Sequence, residues 1–211
     1  MKYFIVVLFL VMTSMSFSQV FNMEKDTIQM AEVVLKKEHT KYRIKTIKLK
    51  GACYYAEDMR NTFEIITLLE NLPDGYLESI SFNFNGLYSS YKDQLEHFKE
   101  TELEFVVYEV NEGGTPGDKI VHDAMPIHIG KEYIGKVVIN VSGLNIKSQK
   151  QLFIGVRRIS GSGNKNEFSI SCLCNGQDKY VTLSRADATS GWKRRWECAA
   201  LKVDVSIQVA H

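Results

Sequence analysis

From Tyr42 onward apolar and polar residues alternate with a period of two. Tyr42, Ile44, Ile47 and Leu49 alternate with Arg43, Lys45, Lys48 and Lys50, with one slip at Thr46. A period of two puts the apolar side chains on one face of a strand. The clearest run comes late, where Leu201, Val203, Val205, Ile207 and Val209 alternate with Lys202, Asp204, Ser206 and Gln208. That pattern predicts a half-buried antiparallel strand. Ile80, Phe82 and Phe84 alternate with Ser79, Ser81 and Asn83 in the same way. Residues 103–110, 134–141 and 152–158 are β-branched or aromatic, as strands prefer. Residues 56–71 are ambiguous. Met59, Phe63, Ile66 and Leu69 fit a helical stripe, whereas Ile65-Ile66-Thr67 fits a strand. A strand over 63–69 is the expectation there, and 92–100 is a short helix candidate.

Turn chemistry separates these runs. Pro73-Asp74-Gly75, Gly113-Gly114-Thr115-Pro116-Gly117-Asp118 and the Gly/Ser/Asn-rich stretch 160–166 each stand between two strand patterns. Asn175-Gly176 predicts a hairpin joining the 168–174 strand to residues 180–183. Turn-bounded strands without a long helical pattern between them predict an all-β fold. The specific expectation is an antiparallel β-sandwich, jelly-roll-like, over 41–211. Residues 19–40 are polar and only loosely alternating, and read as a flexible arm with one short extended segment.

The first eighteen residues read as an address. Lys2 precedes a short apolar run from Phe4 to Met12, and Ser16 and Ser18 stand at the −3 and −1 positions of a cleavage before Gln19. This is the pattern of a secretory signal peptide. The run is about half the ~20 apolar residues a spanning helix needs. The expected location is therefore the periplasm, the outer membrane surface or the medium, with no transmembrane segment after cleavage.

Export changes how Cys53, Cys172, Cys174 and Cys198 read. Four cysteines in an oxidising compartment allow three full connectivities. In a strand, Cys172 and Cys174 share the face of Phe168 and Ile170. That favours buried thiols or one bridge to a neighbouring strand over a zinc site, which wants more closely spaced ligands. Cys53 and Cys198 lie in the two terminal segments, whose strands often neighbour each other in sandwiches, and are the candidate pair.

Charge and motifs narrow the chemistry. The 26 Lys+Arg nearly match the 25 Asp+Glu, and removing Lys2 takes the formal +1 to zero. A nucleic-acid binder would show a basic excess. The sequence holds no Walker loop, Rossmann fingerprint, His-Glu-x-x-His or EF-hand loop. Among metals only a structural calcium stays open, at Asp74, Asp118 or Asp187, where turn formation is the ordinary role. A hydrolase reading rests on His122, Asp123 and His128 alone, without a nucleophile elbow. No cofactor is expected.

Aromatic residues supply the remaining candidates. Trp192, Arg194 and Trp196 share one face if their segment is extended. Exposed Trp beside Arg can stack on a sugar ring or on a partner's aromatic surface. Against this, Trp is mostly buried on average. Tyr88 and Tyr91 form a second aromatic loop of the same kind.

Two resemblances accompany this reading. Asp26-Thr27-Ile28-Gln29-Met30-Ala31-Glu32-Val33-Val34 resembles the segment before the plug of TonB-dependent outer-membrane receptors. No plug or barrel pattern follows it, so receptor function is not implied. Phe105-Val106-Val107-Tyr108-Glu109-Val110, Gly114-Thr115-Pro116-Gly117-Asp118-Lys119-Ile120, Leu152-Phe153-Ile154-Gly155-Val156 and Trp192 resemble the pattern of exported jelly-roll-like domains. These occur in Gram-negative envelope proteins, some beside carboxypeptidase-like regulatory domains. That resemblance implies a β-sandwich and an exported location, and no catalytic residues. The functional expectation is a non-enzymatic binding module for an envelope protein or surface glycan. A carbohydrate-binding module and a hydrolase are the alternatives.

Overall fold

Seventeen strands build the described part of the chain. A computed structural model describes residues 42–51, 54–59, 61–85, 87–89, 95–97, 101–121, 125–130, 133–159, 169–173 and 179–210. For 54–58, 85, 87–89 and 95–97 it describes the backbone alone. The signal peptide, the arm, Cys53, Tyr91, His122, Asp123 and Cys174 lie outside the described residues.

In chain order the strands are β1 (Tyr42–Lys48), β2 (Tyr54–Asp58), β3 (Glu64–Glu70), β4 (Gly75–Asn85), β5 (Leu87–Ser89), β6 (Leu95–His97), β7 (Thr101–Val110), β8 (Pro116–Lys119) and β9 (Pro126–Ile129). They continue with β10 (Ile134–Asn140), β11 (Lys147–Ser148), β12 (Gln151–Arg158), β13 (Ser169–Leu173), β14 (Thr182–Arg185), β15 (Lys193–Arg194), β16 (Ala200–Leu201) and β17 (Val203–Ala210). One antiparallel sheet runs β1-β17-β4-β13-β16, with β10 and β11 also paired to β4 and β2 paired to β13. The other runs β15-β14-β3-β12-β7-β8, with β9 on β7. The chain crosses between the sheets repeatedly, and the expected antiparallel β-sandwich is the fold observed.

The core lies between the sheets. Val203, Val205, Ile207 and Val209 of β17 pack there with Ile80, Phe82 and Phe84 of β4. From the second sheet come Ile65 and Leu69, Leu103, Phe105 and Val107, and Leu152, Ile154 and Val156. Each such side chain contributes about 1.5–3 kcal/mol when fully buried. The ambiguous segment resolves as β3, because burial on the sandwich suits its β-branched Ile65-Ile66-Thr67. The Thr67 and Thr182 hydroxyls meet at 2.9 Å within the packed layer, and Thr67 Oγ1 accepts the Leu201 amide. At Gly155 a Cβ would stand 1.9 Å from the Ile65 carbonyl oxygen. Only glycine lets β12 lie this close to β3 there.

Three expectations need correcting. Within the 92–100 helix candidate, Leu95–His97 is a strand paired with Leu87–Ser89 in a two-stranded ribbon. Asn175-Gly176 lies outside the described residues, but the strands it was expected to join, β13 and β14, belong to different sheets. Cys198 is bonded to Cys172, not to Cys53. The Cys172–Cys198 bridge spans Cα atoms 5.3 Å apart. The cause is register: β16 pairs with β13 so that Leu201 lies opposite Cys172, which carries Cys198 to that strand. Both half-cystines are fully buried in the core.

Strand β1 closes one side of the first sheet. It pairs with β17 from Tyr42↔Ala210 to Lys48↔Asp204. Its other edge is unpaired among the described residues. Tyr42 and Ile44 are exposed on it, between the cations Arg43, Lys45 and Lys48. Among the described residues no helix is long and apolar enough to cross a membrane.

Candidate binding surface

The central strands of the second sheet do not alternate. Ile65-Ile66-Thr67-Leu68-Leu69, Phe105-Val106-Val107-Tyr108 and Leu152-Phe153-Ile154 are apolar almost throughout, which in a sheet means burial on both faces. The outer face indeed carries a second apolar cluster of Ile66, Val106, Tyr108 and Phe153. Leu68, Val110, Val181, Leu183 and Trp192 pack around it. Trp192 meets Tyr108 edge to face at 5.8 Å.

Beside that cluster runs a row of alternating charge. Register places Arg185 opposite Glu64, Glu64 opposite Arg157, and Arg157 opposite Glu104. Glu64 is fully buried and Glu104 is 2% exposed. Buried carboxylates need partners, since an unpaired one is very costly. Arg185 Nε donates to Glu64 Oε2 at 2.7 Å, and Tyr108 donates its hydroxyl to Oε1 at 2.6 Å. Glu104 is paired with Arg157 and, at 3.2 Å, with Lys119. The Arg185 guanidinium lies 4.6 Å from the Trp192 ring centre, and Phe63 lies under both Arg185 and Arg157. Burial, and then the hydrogen bond to the Glu64 carboxylate, push the Tyr108 phenol far above its ordinary range.

A corner beside β15 has a different character. There Tyr180 lies between the second sheet's edge strand β15 and the segment leaving β1. Tyr180 joins the two, accepting from the Lys50 amide at 3.1 Å and donating to the Lys50 carbonyl at 2.8 Å. Arg194 donates to the Tyr180 carbonyl at 3.3 Å. Its guanidinium lies 4.3 Å from the Trp196 ring centre. Trp196 is 67% exposed. The Lys179 ammonium lies 5.3 Å from the Tyr180 ring centre. Among the described residues Lys50, Lys179 and Lys193 have no carboxylate partner, in contrast to the cations of the row.

The candidate residues thus separate. Arg194 stacks on Trp196 and stands in register with Leu183 of the outer cluster, in which Trp192 is seated. Trp192 is half-buried under Arg185 and serves packing, whereas Trp196 is exposed. The backbone of Tyr88 lies in β5, away from both main sheets' pairing. Its side chain and all of Tyr91 lie outside the described residues. His128 is exposed on β9, opposite Glu102.

Asp187 accepts from the amides and hydroxyls of Thr189 and Ser190. It fixes its own turn, as a turn-forming aspartate does. Those donors, the Ser190 and Thr189 hydroxyls first, hold its carboxyl well below the usual range. No group of three or more His, Cys, Asp or Glu able to hold a metal occurs among the described residues.

Sequence reasoning missed Glu64, Glu104, Tyr108, Arg157 and Arg185 as a unit. The non-alternating strands carried the signal, because they announce a second buried face. Tyr180 and Lys50 are 130 residues apart, and no local pattern joins them. A scan of family models gives no match to this chain, and a search of curated proteins gives none either.

Proposed function

We propose that the chain is an exported, non-enzymatic binding module of the cell envelope or the medium, recognising an envelope protein or surface component at the Trp196 corner. The observation that carries this reading is Trp196 itself. A large aromatic side chain left 67% exposed, with an arginine stacked on it, has little role in the sandwich's own packing. Aromatic residues with arginine are what binding surfaces concentrate. The non-enzymatic part draws support from Glu64 and Glu104. Both buried carboxylates are bound to cations, which suits a structural network better than proton transfer to a substrate.

The test is capture from envelope extract on immobilised protein. The expected result is a retained component that Trp196→Ala loses and Trp192→Phe keeps. Equal retention by Trp196→Ala and the parent protein would overturn the site. A specific observation favours carbohydrate as the second reading: the indole ring of Trp196 is a planar, solvent-facing surface on which a sugar ring can stack. Glycan-array binding sensitive to Trp196→Ala is its expected signature.

A further inference from the structure

The chain's near-zero net charge conceals a separation of charge. On the outer face of the second sheet every cation of the buried row meets a carboxylate: Arg185 with Glu64, and Arg157 and Lys119 with Glu104. At the corner Lys50, Lys179, Lys193 and Arg194 are all exposed, and among the described residues the three lysines have no carboxylate partner. Glu197 is the acidic residue adjoining them, also exposed. Three separate segments supply these cations. Tyr180 bonds to the amide and carbonyl of Lys50, and Arg194 to the carbonyl of Tyr180, so the fold holds the Lys50 backbone, Tyr180 and Arg194 together.

Arg194 covers one face of the Trp196 ring, and the residue's large exposure leaves the other face to solvent. A ligand suited to this corner combines a flat ring with negative charge. It also repeats that charge, because the exposed cations of this corner come from three separate segments.

We infer that the corner of Lys50, Lys179, Tyr180, Arg194 and Trp196 takes an acidic, carboxylate-bearing polysaccharide, with a sugar ring on the open face of Trp196 and its carboxylates between the flanking cations. This rests on the carbohydrate reading above and adds the charge of the glycan. Arginine and lysine bind carboxylates through charge-assisted hydrogen bonds. The acidic class is favoured over a neutral one because lysines without carboxylate partners give a neutral sugar nothing it needs. A glycan is favoured over an acidic protein because the exposed platform is one flat ring rather than a broad apolar patch.

Native affinity electrophoresis tests it, with polygalacturonate, neutral dextran and dextran sulfate cast into parallel gels. The expected result is retardation by polygalacturonate and none by dextran. Trp196→Ala and the double variant Lys50→Ala/Lys179→Ala should each weaken the polygalacturonate interaction about tenfold, the loss of roughly one good contact. All these side chains are exposed or at the surface, so thermal melting of each variant checks that it is folded. High salt should abolish retardation, since at about 1 M the screening length falls to roughly 3 Å.

Equal retardation by dextran and polygalacturonate would overturn the acidic class and leave the carbohydrate reading standing. Retardation by dextran sulfate and polygalacturonate alike, unchanged in Trp196→Ala, would be plain ion exchange and would overturn the inference. No retardation by any polymer, with Trp196-dependent capture of a protein from envelope extract, would overturn the glycan and leave the binding-module reading. Neither retardation nor capture would remove both.

Discussion

Tyr108 donates its phenolic proton to Glu64 across the outer face of the second sheet, at 2.6 Å. Strand β12 lies between their strands β7 and β3. The bond therefore ties together two strands that do not pair. Arg185 completes the group, reaching both the Glu64 carboxylate and, at 3.3 Å, the Tyr108 hydroxyl.

Tyr108→Phe leaves a buried carboxylate oxygen short of a donor. The expected cost is about 1–3 kcal/mol, read as a lower urea midpoint with an unchanged slope. Arg185→Ala strands the charge of Glu64 and should cost about 3–5 kcal/mol. The phenol also makes an alkaline prediction. Its folded pKa is raised, so the folded state holds this proton more tightly than the unfolded state does. The stability this lends is complete below the unfolded value near 10 and falls as pH rises above it. Spectroscopic titration should show Tyr108 resisting ionisation well above the ordinary phenol value near 10. A Tyr108 that ionises at that ordinary value would contradict its buried bond to Glu64.

Reducing Cys172–Cys198 should destabilise the protein without changing its far-ultraviolet spectrum in native buffer. The bridge closes a loop with a sequence separation of 26. Loops of this size are worth about 3 kcal/mol through the unfolded chain. Denaturation with and without reductant, and of the Cys172→Ala/Cys198→Ala variant, measures it. Identical midpoints would mean that strand pairing of β16 with β13 already fixes this corner.

Asp187 should give the protein part of its tolerance to acid. Its folded pKa is depressed, so the stability it contributes is present above the unfolded value near 4 and is lost as pH falls through the lower folded value. Asp187→Ala removes the acceptor for Thr189 and Ser190. The expected outcome is a lower melting temperature at neutral pH and a gap to the parent protein that narrows in strong acid. A gap independent of pH would show that the turn is held by backbone shape alone.

The two tryptophans should separate in a stability assay. Trp192 packs against Tyr108 and under Arg185, so Trp192→Ala should cost about 3 kcal/mol or more. Trp196 is exposed, and Trp196→Ala should fall within about 0.5 kcal/mol of the parent protein. Comparable losses from both would mean that Trp196 is a packing residue.

Much of the sandwich could be read from alternation. Val203, Val205, Ile207 and Val209 face the core as their period required, and residues 63–69 form the expected strand with a shift of one residue. What alternation cannot convey is which strand lies beside which. Asn175-Gly176 has good local chemistry for a hairpin, yet β13 and β14 go to different sheets, because strand partners are chosen by burial of whole faces. The Cys53–Cys198 expectation failed for the same reason: nearness followed from the pairing of β16 with β13. At the candidate site, residue spacing pointed to Trp192, Arg194 and Trp196 as one group. The opposite fates of the two indoles were not legible, because they depend on Arg185 and Tyr108, which are remote in sequence.

Strand β17 has one further consequence. It sits between β1 and β4, so the first and fourth strands meet only through residues 203–210. A chain lacking residues 203–210 would leave β1 with no partner among the described strands and β4 with an open flank. An open strand edge is what other chains add to, so β17 guards the first sheet against association as well as completing it.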